Sequence, residues 1–319
     1  MSDPWSHLSL ALAAANGQID SAASRRLVSA GVALLQHCAP LVRALHGRRS
    51  AILLPFSPAF VVALAASEGR EGVLLDSRAS AVEIDRGLHD GNVGAVFTVS
   101  ALEDRVPAAV PRILLDAAPQ SATWRVGSSV RDIDLSLHDG LPLEGERGAV
   151  GVDEACLRLA PNDPASAAFG GVATHRQLMT CARSTALAAR LSPRDNTLSA
   201  MSAPSLFSVV VGGLAPLLAS GRVTTVTNED PATVIERIER EGVSMVVAPP
   251  SLYASLLDAI DRRGRRLDAP ILQRCIAGMG VADQSLRTRW LSATGVALRQ
   301  GDETHAGGDF SVGGPAPSH

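Results

Sequence analysis

Short apolar segments alternate with longer amphipathic segments along most of the chain. The apolar segments are rich in Val, Ile and Leu, and the amphipathic segments repeat their apolar residues at helical spacing. This alternation is typical of βα units built around a mainly parallel sheet. The pattern predicts strands at residues 51–54, 72–75, 93–99, 112–115, 222–226, 243–247, 274–277 and 296–299.

The longest predicted helix covers residues 21–46. Pro40 is expected to kink or divide this helix, and Gly47 to end it. The apolar stretch Leu8–Ala15 predicts a short helix rather than a signal peptide, because no basic region precedes it. The other predicted helices cover residues 58–67, 79–88, 174–190, 206–219, 231–241, 251–260 and 282–293.

The alternation is interrupted at residues 117–164, a stretch rich in Pro, Gly and Asp that predicts an irregular connection. We therefore expect an α/β fold with two related βα lobes, each a mainly parallel sheet flanked by helices. The first lobe is expected to cover residues 1–165, including the irregular connection, and the second to cover residues 166–319.

The charges are nearly balanced, with 29 basic and 32 acidic residues, which argues against a nucleic-acid partner. Every apolar run is too short or too interrupted to span a membrane. The four cysteines are scattered without a CxxC pair, as expected of reduced, buried thiols. These features together predict a cytoplasmic protein without nucleic-acid or membrane partners.

All of the basic residues are arginines, and the sequence contains no lysine. The codon preference of a GC-rich genome would explain most of this bias. It still has a chemical consequence, because none of these residues can supply a lysine amine or its compact ammonium charge.

Common catalytic signatures are missing from the sequence, including GxSxG, HExxH and the Walker lysine. A plain doubly wound α/β enzyme, such as an NAD-dependent or nucleotide-sugar enzyme, predicts a glycine fingerprint after the first strand. The segment LPFS at residues 54–57 does not provide one, so this class ranks low.

Several segments instead resemble, in the correct order, the adenylate-forming superfamily of acyl-CoA and aryl-CoA synthetases, peptide-synthetase adenylation domains and luciferases. They are spread from residue 51 to residue 317, so the resemblance extends over most of the chain. The segments are AILLPFSPAF (51–60), DPA (163–165), GVATHRQL (171–178), VVAPPSLYASLL (246–257), CIAGMGV (275–281), QGDET (300–304) and SVGGPAP (311–317).

This resemblance implies a reaction in which a carboxylate attacks the α-phosphate of ATP to give an acyl-adenylate and pyrophosphate. CIAGMGV corresponds to the strand end beside adenine, and QGDET stands where the family has Tyr-Gly-x-Thr-Glu. ATP or AMP and Mg²⁺ are therefore the implied cofactors, although none is firmly predicted, nor is any metal ligand. The residues implied for a vestigial nucleotide site are Gly278, Gly280, Gly301, Glu303, Thr304 and Thr174.

The sequence departs from the family pattern where the chemistry should be. Only SAAFG, residues 166–170, stands in place of the phosphate loop, and it offers one hydroxyl. Gln300 replaces the aromatic residue beside adenine, and Glu303-Thr304 reverses the Thr-Glu order. The pocket histidine has no match at residues 203–208, and we expect the C-terminal lid with its lysine to be absent.

The resulting hypothesis is a degenerate, non-catalytic member of the family, a pseudoenzyme without catalytic residues. It would bind an acyl or aryl carboxylate or an adenylate, or a protein partner.

The alternative is an active AMP-forming carboxylate ligase half that works with a separate lid or partner subunit. We also expect a protein partner or a second copy to bind the truncated face near residues 300–319. The RRGRR motif at 262–266 is either a solvated loop or a contact for a CoA phosphate, a carrier protein or an acidic partner.

Overall fold

The computed structural model describes residues 8–67, 71–116, 118–136, 151–159, 171–201, 205–226 and 230–301. Within them the chain forms two sheets. The strands are β1 (Gln18–Ile19), β2 (Ala22–Ala23), β3 (Arg49–Ile52), β4 (Gly72–Leu74), β5 (Val93–Thr98), β6 (Arg112–Leu114), β7 (Ser121–Val126), β8 (Ser129–Asp134), β9 (Ala155–Arg158), β10 (Val172–Thr174), β11 (Asn196–Ser199), β12 (Arg222–Thr225), β13 (Met245–Ala248), β14 (Arg274–Ala277) and β15 (Leu298–Gln300).

Eleven α-helices in the described part of the chain surround these sheets. They are α1 (Leu8–Ala15), α2 (Ser24–His37), α3 (Ala39–Ala44), α4 (Pro58–Ala66), α5 (Ala81–Asp90), α6 (His175–Ala188), α7 (Leu206–Val209), α8 (Ala215–Leu218), α9 (Pro231–Arg240), α10 (Pro250–Arg263) and α11 (Gln284–Thr294). A 3₁₀ helix covers Ser100–Arg105, and a π-helical turn at Val210–Leu214 joins α7 to α8. Pro40 lies in the first turn of α3, and the predicted division of the 21–46 helix is confirmed.

The first sheet has the strand order β10-β9-β4-β3-β5-β6-β7-β8, and the second has β15-β14-β13-β11-β12-β1-β2. Strands β9, β4, β3, β5 and β6 are parallel to one another, as are β15, β14, β13, β11, β12 and β1. The antiparallel pairs are at the ends of the sheets. The predicted α/β class with two mainly parallel sheets flanked by helices is thus confirmed.

The two faces of the second sheet pack into different cores, because successive residues of a strand point to opposite faces. Val247 and Ile276 join the large core that also contains Ile52 and Phe97 of the first sheet. Their strand neighbours, such as Val246 and Cys275, pack on the other face beneath α9, α10 and α11. The large core therefore joins the two sheets.

Three strands lie in the stretch predicted to be irregular, and that prediction was wrong for them. Strands β7 and β8 form an antiparallel hairpin, and β9 adds to the parallel part of the first sheet. Only Ile133 of β8 is buried, so the apolar pattern that marks a strand is almost absent there. The hairpin forms because β7 pairs with β6 and buries Ala122 and Trp124.

Strand β11 was also missed, although it pairs with two neighbours inside the second sheet. Its sequence, Asn-Thr-Leu-Ser, is polar, yet all four residues are buried. Burial of the Asn196 side chain is tolerated because its amide is paired. The Asn196 amide donates to Glu241 O at 3.0 Å and accepts from Thr224 Oγ1 at 3.0 Å.

Each sheet contains strands from both sides of the predicted lobe boundary at residue 165. The N-terminal strands β1 and β2 belong to the second sheet, and β10 belongs to the first. The division into two lobes stays a prediction.

Candidate functional site

The carboxyl ends of β13, β14 and β15 meet at one edge of the second sheet, where open α/β sheets usually bind ligands. Strand register pairs Ala277 with Gln300, so Gly278 and Gly301 follow as neighbours. The Gly301 N–H donates to Ala277 O at 2.8 Å. The structure therefore brings together Gly278, Gly280 and Gly301 of the predicted nucleotide site.

The ring of Phe207 occupies one face of this glycine pair. A Cβ atom on Gly278 would lie 2.0 Å from Phe207 Cε1, and one on Gly301 would lie 2.3 Å from Cε2. Both distances are far inside an ordinary carbon–carbon contact of about 3.5–4.0 Å. Phe207 is only 2% exposed. Glycine is required at both positions because a buried aromatic ring fills the space where a side chain would stand.

Phe207 is held in place by the start of its own helix. Ser205 caps α7 by accepting a hydrogen bond from the Ser208 N–H at 3.1 Å, and Ser208 Oγ accepts from the Ser205 N–H at 2.8 Å. This reciprocal cap fixes the entry of the chain into the helix. The cap thereby sets the position of the Phe207 ring, two residues further along the chain, at this edge.

The Gln300 side chain occupies the opposite face, because residues 300 and 301 alternate along the strand. Its Nε2 donates to Gly280 O at 2.8 Å and to Ala277 O at 3.3 Å. Its Oε1 accepts from the Ala282 N–H at 2.9 Å. The amide thus ties the loop after β14 to β15, at the position where the resemblance places an aromatic ring.

The loop after β14 turns through two unusual backbone conformations. Met279 has a φ of 58°, and Gly280 has a φ of 135°. A Cβ on Gly280 would be 3.7 Å from Pro250, so space alone does not demand glycine here. The backbone conformation does, because L residues rarely adopt it.

Thr174 caps the N-terminus of α6, and the backbone donors there are already used. Thr174 Oγ1 accepts from the Gln177 N–H at 3.2 Å, and Gln177 Oε1 accepts from the Thr174 N–H at 2.8 Å. The His175 N–H donates to Glu154 O and the Arg176 N–H to Val152 O. The donors that could have bound an anion at this helix end are satisfied within the chain.

His175 is only 2% exposed, and it lies where α6 begins. Burial lowers the pKa of its imidazole, although the charge of Glu154 acts in the opposite direction. In the sequence, the place of His175 at a predicted helix start favours a surface position, and the structure shows that it is buried instead. The burial favours the neutral form at physiological pH.

The remaining predicted site residues, Glu303 and Thr304, lie outside the described residues, as does the SAAFG segment at 166–170. Among the residues that the structure describes, there is no group of three His, Cys, Asp or Glu side chains placed to hold a metal ion. Within the described residues, the Gly301 N–H and the Gly280 carbonyl are hydrogen-bonded to Ala277 and Gln300, and Thr174 is bonded to Gln177.

The π-helical turn contributes a second aromatic contact that sequence reasoning missed. A Cβ on Gly213 would lie 2.2 Å from the ring of Phe56, which comes from the loop between β3 and α4. A Cβ on Gly212 would lie 2.5 Å from Ser199 Oγ, at the end of β11. Because Gly212 and Gly213 have no side chains, the π-helical turn can lie close to Phe56 beside the first sheet and to Ser199 in the second sheet. In the sequence, this contact is indicated only by two adjacent glycines inside an apolar helical segment.

The RRGRR motif is largely paired within the chain. Glu239 accepts from Arg265 at 2.9 and 3.0 Å and from Arg263 at 3.2 Å. It also accepts from the Asp268 N–H at 3.1 Å. Burial raises the pKa of Glu239, but these hydrogen bonds and charges together lower it below the usual value. Two of the motif's four arginines therefore fasten this loop to α9.

Comparison with known proteins defines the class of protein to which this fold and edge belong. The model of the AMP-binding enzyme family matches residues 41–301, so the chain belongs to that family. The predicted membership of the adenylate-forming superfamily is thus confirmed. No helix in the described part of the chain has the length and apolar character to cross a membrane.

Feruloyl-CoA synthase of Amycolatopsis sp. is 27% identical over 259 residues, which cover 80% of this chain and 48% of that protein. Feruloyl-CoA synthase of Streptomyces sp. matches with the same identity and coverage. The chain spans about half the length of these curated relatives.

Two solved structures have a similar fold. The benzoate CoA ligase of Burkholderia xenovorans LB400 has a TM-score of 0.72 at 15% identity, covering 98% of this chain and 66% of that one. Apo MatB of Rhodopseudomonas palustris has a TM-score of 0.70 at 16% identity, covering 93% of this chain and 59% of that one. At these identities the likeness shows the fold alone.

Proposed function

We propose that this chain is a non-catalytic member of the AMP-binding enzyme family that acts as a ligand-binding or protein-interaction module. The observation that carries the proposal is the Gln300 amide, which bridges the loop after β14 instead of leaving a platform for adenine. An aromatic ring stacks on a base through its π face, whereas an amide committed to the backbone offers no such surface.

A second feature supports this proposal. The N–H groups at the start of α6 are used by the chain itself, so they cannot also bind phosphate.

The ligand class that we propose is an acyl or aryl carboxylate rather than the corresponding adenylate, because adenine would need the surface that the Gln300 amide closes. The feruloyl-CoA synthases and the benzoate CoA ligase are named for aryl acids, which makes aryl carboxylates the first compounds to test. The proposed compartment is the cytoplasm, as the scattered cysteines predict. A protein partner or second copy near β15, the outermost described strand at that side of its sheet, also stays a proposal.

Calorimetric titration of AMP and Mg²⁺-ATP tests the blocked nucleotide edge. We compare the native chain with Gln300→Ala, which removes the bridge, and Gln300→Tyr, which restores an aromatic ring. Gln273→Ala, at an exposed position beside β14, is the matched control. The proposal expects no measurable binding by the native chain or the control, and AMP binding by at least one Gln300 variant. Tight Mg²⁺-ATP binding by the native chain would overturn the blocked-edge argument.

The alternative function is an active ligase half that needs a separate lid or partner subunit. The positive-φ loop at Met279 and Gly280 supports it, because this strained turn remains in a chain of an enzyme family. Pyrophosphate release from ATP with a panel of aryl and acyl acids distinguishes the two proposals. Release by the chain, alone or with a lid subunit, would replace the non-catalytic proposal with this one.

A further inference from the structure

A polar depression of about 460 Å³ lies against the face of the second sheet that carries α9. Its floor is the start of β12, with Arg222 and Thr224, and its walls are the turn after β1 and the end of α9. Because Arg222 begins a parallel strand, it stands at the amino edge, opposite the edge of Gly278 and Gly301. The depression is therefore separate from the candidate nucleotide edge.

The acidic side chains that line the depression already have donors. Asp20 accepts from the Thr225 N–H and from Thr225 Oγ1, each at 2.8 Å. Glu241 accepts from Arg237 Nε at 2.9 Å. Glu241 is offset by the Arg237 guanidinium, whereas Asp20 is held by neutral donors and keeps its negative charge. With three arginines and two carboxylates, the lining keeps an excess of positive charge.

Two arginines in the same lining have much weaker hydrogen-bond and ion-pair contacts than these carboxylates. The Arg222 side chain is exposed and has no hydrogen-bond or ion-pair partner among the described residues. Arg240 Nη1 is 3.8 Å from Glu236 Oε2, and these side chains are 79% and 52% exposed. That distance is too long for a hydrogen bond, and such exposed pairs contribute little. The depression thus holds two guanidinium groups with most of their donors available.

Residues near the depression add positive charge to the amino edge of the second sheet. The Arg222 N–H donates to Asp195 O at 2.9 Å, so the loop between α6 and β11 adjoins the start of β12. This loop carries Arg190 and Arg194, both exposed. Asp195 itself is paired with Arg274 at 2.8 Å and does not offset them. The basic edge is a local feature of a chain whose formal net charge is −3.

The geometry points to a binding site for a small ligand that carries a chain of phosphates, held between Arg222 and Arg240. Guanidinium forks bind phosphate oxygens in pairs, and a linked phosphate chain can engage two forks at once. The depression of about 460 Å³ is open to solvent, and it is larger than a single ion needs. This site is independent of the function proposed for the Gly278 edge.

Binding of inorganic tripolyphosphate, measured by calorimetry at low and at physiological salt, tests the site. Arg222→Gln and Arg240→Gln each remove one fork while keeping a polar side chain of similar length. The matched control is Arg86→Gln, at an exposed position on α5 of the first sheet, which changes the net charge equally. We expect each site variant to weaken binding at least fivefold and the control to change it less than twofold. Thermal unfolding of each variant without ligand checks that it is folded.

A second titration uses an acidic peptide of alternating Asp and Glu, which presents carboxylates instead of phosphates. Weaker binding of the peptide than of tripolyphosphate, with the same dependence on Arg222 and Arg240, supports a phosphate site. Stronger binding of the peptide would overturn the phosphate assignment in favour of an acidic protein partner. Equal losses in the control and the site variants, or no binding at physiological salt, would also overturn it.

Discussion

The contact between Phe207 and the two glycines makes a quantitative prediction about the Gly278→Ala variant. The new methyl carbon would meet Phe207 Cε1 at 2.0 Å, about 1.5 Å closer than an ordinary carbon contact. The φ angle of Gly278 is not in the left-handed region, so the substitution acts through the clash rather than through backbone strain. The ring is 2% exposed and cannot move into solvent without leaving a cavity.

Overpacking of this kind costs about 1–3 kcal/mol, and we expect Gly278→Ala to lose about 2–3 kcal/mol of unfolding free energy. Phe207→Ala should lose about 3–5 kcal/mol, as expected for truncation of a buried aromatic residue. In the Phe207→Ala background the clash is gone, so the added methyl group should cost less than about 0.5 kcal/mol. Urea unfolding followed by circular dichroism measures all four proteins of this double-mutant cycle.

The matched control is Gly151→Ala, whose Cβ would lie 3.3 Å from the flexible carboxylate of Glu154. It should change the unfolding free energy by less than about 0.5 kcal/mol. If Gly278→Ala costs the same with and without the Phe207 ring, the two sites do not interact. The packing that we assign to the carboxyl edge would then be wrong.

Three further predictions concern buried polar groups and the cap of α6. Burial raises the pKa of Asp195, but hydrogen bonds from Ser244, Arg274 and Ser192 together lower it below the usual Asp value. Its contribution to stability is therefore full above the unfolded-state pKa of about 3.9 and is lost as the pH falls through the folded-state pKa. Asp195→Asn should lower the unfolding free energy by about 2–4 kcal/mol at pH 7, because it leaves the Arg274 charge without its anion. Urea unfolding should show a smaller loss near pH 3. Equal losses at the two pH values would contradict this linkage. Burial raises the pKa of the Cys275 thiol to about 12. Mass spectrometry after alkylation at pH 8 should therefore find this cysteine modified only when the protein is unfolded in urea. Rapid modification of the native protein would contradict its burial. Thr174→Ala should lower the unfolding free energy by about 1 kcal/mol and Thr174→Ser by much less, whereas equal losses would mean that the hydroxyl cap is not the cause.

Much of the architecture could be predicted because apolar runs and helical spacing are local properties. The strands at 72–74 and 274–277 and the helices at 58–66 and 231–240 lie close to where the pattern placed them. Each has a continuous apolar stretch or a regular apolar face, so its burial could be expected without knowledge of its neighbours. The family resemblance could be recognised for a similar reason, because it rests on short segments in a fixed order.

The polar strand β11 and the β7–β8 hairpin could not be predicted in this way. In Asn196–Ser199 the buried Asn196 amide is paired with Glu241 and Thr224, and those partners are far away in sequence. Local propensity contains no information about such partners. Strand pairing across the lobe boundary, as between β1 and β12, is hidden for the same reason.

For the candidate site, the sequence by itself predicted glycines at the end of the strand at 274–277, from residue identity and the apolar pattern. The family resemblance placed Gln300 where relatives have an aromatic residue, and that assignment stays a prediction. Only the tertiary structure decided what fills the edge: the Phe207 ring lies on one face, and the Gln300 amide bridges the other. The physical reason is that a hydrogen bond or a ring contact depends on the distance between atoms, which the folded backbone sets. The same reason explains why Thr174 caps its own helix and why Arg222 and Arg240 of the polar depression keep most of their donors available.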